Sequence, residues 1–167
     1  TRYIADIGYA KGVPMGGDLT SAPEGKAPTF LVAAVKDPLS GNLDRVQIVK
    51  GWVGADGKAQ ERVYDVVWGD SNRRQIGSDG RLAPVGNTVD VAKATWTDSI
   101  GDPTLGVVWR DPDFDPSQRA FYYARVIEIP TPRWTAYDAF RFGVEMSPDV
   151  PMVHQERAWS SPIWYTP

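Results

Sequence analysis

The 167-residue chain has no cysteine and a single histidine, His154. The first absence excludes disulfides, zinc–cysteine sites, iron–sulfur clusters and thiol catalysis. The second excludes any mechanism that needs two histidines from this chain. Long apolar runs are missing too. The longest, residues 30–35, falls far short of the roughly 18 residues a membrane helix needs. Positive charge is not in excess: 18 Lys and Arg stand against 21 Asp and Glu, a formal charge of −3. That argues against a general nucleic-acid binder, which presents a basic face. Glycine and proline, at 16 and 14 residues, are plentiful and cut the chain into short segments. With 42% hydrophobic and 23% charged residues, the composition is that of one folded, β-rich domain.

Residues 1–27 hold several glycines and prolines and a few scattered apolar residues, and read as a connector or ordered loop. Residues 28–167 read as the domain proper. The chain opens on Thr1 with no charged-then-apolar leader behind it, so a lost leader or a longer parent protein is expected.

Residues 29–35 form an apolar run suited to a buried strand. Residues 45–53 and 62–68 flank a Gly54-Ala55-Asp56-Gly57 turn and predict a long β-hairpin. In the first arm Val46, Ile48 and Trp52 share one side, with Lys50 the exception among them. Residues 69–87 read as a polar surface excursion with a turn at Ser78-Asp79-Gly80. Further strands are expected at 89–96, 105–109, 120–129 and 157–165, the last interrupted by Pro162. One short helix is expected at 136–142, capped by Thr135 with Asp138 behind it and stopped by Gly143. Together these patterns predict a mainly β chain: an antiparallel, immunoglobulin-like β-sandwich with one short helix and long loops.

Several chemistries can be tested on residue spacing. Asp111, Asp113 and Asp115 alternate like the start of a calcium loop, but Pro116 stands where glycine is needed and Tyr122 where glutamate is needed. A proline-stiffened turn is the simpler reading. A Ser-His-Asp triad would have to use His154, whose neighbours in a strand point to opposite faces. Gly16-Gly17 lacks the lysine and hydroxyl of a phosphate loop. The acids allow many glycosidase-like pairs and single out none. Seven tryptophans admit a carbohydrate-binding β-sandwich module, although six fall in strand candidates where a core would use them. Thr131-Pro132-Arg133-Trp134 and Gln155-Glu156-Arg157 present guanidinium groups in frames suited to carboxylate or phosphate recognition. An internal Glu–Arg pair pinning the helix to the last strand is the simpler reading.

The segments GVPMGGDL, PTFLVAAVKDP, NLDRVQIVKGW, DPDFDPSQRAFYYARVIEIPTPRWTAYDAFRFGV and QERAWSSPIWYTP resemble the C-terminal part of the bacterial domain-of-unknown-function family 3604, over nearly the whole chain. The resemblance implies a longer protein. Its N-terminal catalytic domain would be a PHP-like (polymerase-and-histidinol-phosphatase-type) metallohydrolase, and its tail a β-sandwich packed on that domain. The AWSSPIWY ending is similar to the terminal strand of such tails. The histidine motifs have no counterpart here, so the divalent metal is expected in the missing N-terminal domain, with no cofactor in this chain. The implied role is a non-catalytic accessory sandwich of a phosphoesterase- or esterase-like hydrolase, periplasmic or secreted. Arg133, Glu156, Arg157 and Asp18 are the candidates for its cleft or interdomain surface. The expected partner is the catalytic domain, with no nucleic acid and no membrane span. A sandwich whose first strand lies upstream would expose an edge, covered by the other piece of a nicked protein or by a homodimer.

Overall fold

The computed structural model describes residues 2–167, with burial described from Asp6 onward. In chain order the elements are α1 (Arg2–Lys11), β1 (Asp18–Thr20), β2 (Thr29–Val35), β3 (Leu43–Val53), β4 (Ala59–Trp68), β5 (Thr104–Arg110) and β6 (Ala120–Glu128). They continue as β7 (Thr131–Pro132), α2 (Trp134–Phe142), β8 (Val153–His154), β9 (Arg157–Trp159) and β10 (Ile163–Thr166). The main sheet runs β1–β10–β6–β3–β4, with β9 also paired to β6. β2 and β5 form a separate antiparallel ribbon, and β7 and β8 a short pair. The described residues are thus mainly β, with several sheets and no closed barrel among them.

The hairpin forms as its pattern predicts. Gly57 takes φ 77° and its N–H donates to the Gly54 carbonyl at 2.9 Å, closing the turn between β3 and β4. The β2–β5 ribbon lies on one face of the main sheet because its alternate residues are large and apolar. The Phe30 ring sits 4.7 Å from that of Tyr122, and Trp109 lies 4.9 Å from Tyr64. Phe30, Ile48, Ala120, Tyr122 and Tyr165 make one core group. Leu43, Val46 and Leu105 make a second.

Lys50, the residue that broke the apolar side of β3, lies inside this core at 3% exposure. Its ammonium donates to Asp111 Oδ2 and to the Asp113 carbonyl, each at 2.7 Å. The Tyr122 hydroxyl donates to the same Asp111 oxygen at 2.7 Å. A charge can stay in so dry a place only when paired and fully hydrogen-bonded. Among the described residues, no buried side-chain polar atom lacks a partner. A second buried pair, Arg74 on Asp44 Oδ1 at 2.7 Å, ties the 69–87 excursion to β3.

Four expectations are corrected. The described residues hold two helices, not one: α1 occupies much of the segment read as connector, and β1 within it joins the main sheet. β1 pairs parallel to β10, so the main sheet is mixed and not purely antiparallel. Residues 89–96 form turns around an Asp90–Thr95 bridge with Ala94 at φ 51°, not a strand. α2 has Arg133 as its N-cap, without a side-chain bond. The Thr135 hydroxyl, already inside the helix, donates instead to the Pro151 carbonyl at 2.6 Å. Gly143 ends the helix at φ 63° in the left-handed region, as its type predicts. Among the described residues, no helix is long and apolar enough to cross a membrane.

Candidate functional site

The four candidate residues fall at two ends of the main sheet. Asp18 aligns with Trp164, and Trp164 with Phe121. Arg157 aligns with Ile127. Phe121 and Ile127 are six residues apart on β6, roughly 20 Å at about 3.3 Å per residue. Asp18 therefore shares no site with Arg157.

At the Arg157 end, the Arg133 N–H donates to the Met152 carbonyl at 2.9 Å. Its guanidinium sits 5.9 Å from the centre of the Trp134 ring. Glu156 is exposed and lies 3.1 Å from His154 Nε2. The Glu–Arg pair allowed by the sequence is thus replaced by a Glu–His pair, and Arg157 stays exposed with no ion pair among the described residues. The pinning role goes to Gln155, whose amide donates to Asp44 Oδ2 at 3.0 Å and to the Glu128 carbonyl at 2.8 Å. Beside this group, α2 packs chiefly against β7. It leaves Trp134 60%, Phe140 59% and Phe142 73% exposed. Sequence reading missed this surface. The available signal was a nine-residue helix with four aromatics and too few turns to stand alone.

The other end of the sheet holds a cleft of about 610 Å³. Register builds it. Asp18, Trp164, Phe121, Gly51 and Glu61 align across β1, β10, β6, β3 and β4 as one cross-strand row. Residues in register point to the same face, here the one turned away from the β2–β5 ribbon. Gly51 is required at the centre: a Cβ there would stand 2.2 Å from the tip of the Phe121 ring. Phe121 in turn lies 5.3 Å from Trp164 and stacks at 9° on Tyr123. Asp18 and Glu61, on the two edge strands, are exposed, as is Arg119 in the cleft wall.

The alternating aspartates do not converge on a cation. Asp111 Oδ1 accepts the Asp113 N–H at 2.9 Å, and Asp115 Oδ1 accepts the Ser117 N–H at 2.8 Å. Asp113 itself holds Arg62 and the Tyr64 hydroxyl. Burial first, then the Asp111 carboxylate beside it, raises the Tyr122 phenol well above its ordinary range. That keeps it a neutral donor. Among the described residues, no three His, Cys, Asp or Glu side chains are grouped to hold a metal ion. The divalent metal expected of the neighbouring domain thus has no ligand set among the described residues of this chain.

The family described as "Protein of unknown function (DUF3604)" matches residues 1–167. The chain belongs to this family. No curated protein and no solved structure matches it. For this DUF3604 chain, the two ends of the sheet therefore have to be read from their own chemistry.

Proposed function

We propose that this chain is a non-catalytic accessory domain, an immunoglobulin-like β-sandwich tail that packs on the catalytic domain of a PHP-like, metal-dependent hydrolase. The observation that carries this reading is the exposed aromatic surface of α2. Trp134, Phe140 and Phe142, each more than half exposed on one nine-residue helix, are aromatics of the kind enriched at interfaces. Arg133, Glu156 and Arg157 lie around the same end and supply a polar rim, the usual surround of an apolar contact. The metal and the attacking water would belong to the neighbouring domain, in the bacterial periplasm or outside the cell. This chain would stabilise that domain and wall its cleft.

Hydrogen exchange distinguishes the alternatives directly. In the full-length protein, amides of residues 134–142 should exchange about tenfold or more slowly than in the isolated chain. Phe140→Ser with Phe142→Ser should abolish that protection and lower the thermal stability of the catalytic domain. Equal exchange in both settings, or hydrolase activity in the isolated chain, would overturn the reading.

A further inference from the structure

The cleft at the opposite end of the sheet is not used by that docking surface. We propose that it binds a neutral oligosaccharide laid along the row Asp18–Trp164–Phe121–Gly51–Glu61. The row crosses five strands. Four inter-strand spacings of about 4.8 Å make it roughly 19 Å long, a span for a few linked sugar rings.

The row's chemistry matches a sugar chain part by part. Its middle is an apolar floor: Trp164 is 49% exposed and the half-buried Phe121 lies across Gly51. The C–H faces of pyranose rings pack on such rings, while their hydroxyls need acceptors at the margins. Asp18 and Glu61 provide carboxylates at the two ends. Neither makes a side-chain hydrogen bond or ion pair among the described residues. The glycine at the centre makes room for the Phe121 ring, which covers the backbone there and forms the floor itself. Two carboxylates against the single Arg119 leave the cleft with net negative charge. That disfavours uronic and sulfated chains and favours neutral ones.

A protein partner would also cover aromatics, but it would be expected to meet a continuous apolar patch. Here the aromatic floor is short and closed at both ends by exposed acids.

The test titrates the full-length protein with neutral β-1,4-linked glucose, xylose and N-acetylglucosamine hexasaccharides and, in parallel, with a polygalacturonate oligomer. Tryptophan fluorescence and calorimetry give the readouts. At least one neutral chain should bind, and Trp164→Ala should weaken it about tenfold, the scale of one lost aromatic contact. Asp18→Asn with Glu61→Gln should weaken it further. Val108→Thr, on the outer face of the β2–β5 ribbon, should leave it unchanged. No neutral chain binding at millimolar concentration, tighter binding of the anionic oligomer, or undiminished affinity in Trp164→Ala would each overturn the proposal. The cleft is remote from α2, so failure here leaves the docking reading standing, and the reverse.

Discussion

The two faces of the main sheet invert the usual alternation at neighbouring positions. Lys50 and Tyr122 point inward; Gly51 and Phe121, one residue along each strand, point outward. A sheet covered on one side normally keeps apolar residues in and polar residues out. Here the inward row carries a buried ammonium and carboxylate, and the outward row carries a half-exposed tryptophan beside a half-buried phenylalanine. The inward exception is structural, since every polar atom in it has a partner. The outward exception is not required by the fold, since a solvated sheet face needs no tryptophan at 49% exposure. A break in pattern that is satisfied internally holds the fold together. One that is left open faces a ligand.

Removing one partner of the inward row should have the largest effect on stability. Lys50→Ala leaves Asp111 charged and unpaired at 2% exposure, and should cost about 3–5 kcal/mol in urea unfolding. Lys50→Met with Asp111→Leu should recover most of that, because the pair's desolvation cost is removed together with its attraction. A single-variant cost below about 1 kcal/mol would mean that the inward charge is not held as described. The outward row should respond less. Gly51→Val should cost about 1–3 kcal/mol by forcing the Phe121 ring aside. In a Phe121→Ala background the same change should cost much less, and a double-mutant cycle measures the difference. Additive effects would show that Phe121 does not rest on Gly51.

Much of the fold could be read in the sequence, and most of the candidate site could not. β2 has the residue range its apolar run implies, and the β3–β4 hairpin follows from alternation on either side of a Gly-Ala-Asp-Gly turn. Gly143 marks the end of α2 because only a left-handed residue closes a helix cheaply. These are local facts. The failures are long-range ones. Residues 89–96 read as a strand candidate, yet they pair with no strand among the described residues and fold on themselves through the Asp90–Thr95 bridge. Lys50 was visible only as an anomaly, because its partner Asp111 lies 61 residues away. The row across β1, β10, β6, β3 and β4 could not be seen at all. It depends on a parallel contact between the two ends of the chain, Asp18 with Trp164, and no local pattern encodes that.

A half-exposed pair sharpens the contrast with Lys50–Asp111. Lys36, just past β2, places its ammonium 2.5 Å from Asp98 Oδ2. The Asn42 N–H, just before β3, donates to Asp98 Oδ1 at 2.9 Å. Asp98 therefore joins the ribbon to the main sheet as Asp111 does, but at the rim. Partial burial works to raise its carboxyl, and the Lys36 and Asn42 contacts outweigh it, so the group lies below the ordinary carboxylate range. A depressed folded value means stability that is complete above the unfolded value, about pH 4, and is lost as pH falls through the folded one. Asp98→Asn should therefore cost a little at neutral pH, under about 1 kcal/mol because solvent screens the pair. The gap between wild type and variant should stay constant above about pH 5 and close below about pH 4. Thermal unfolding of both proteins across that range reads it directly. A gap that persists at low pH would assign the effect to the amide's shape and not to the charge.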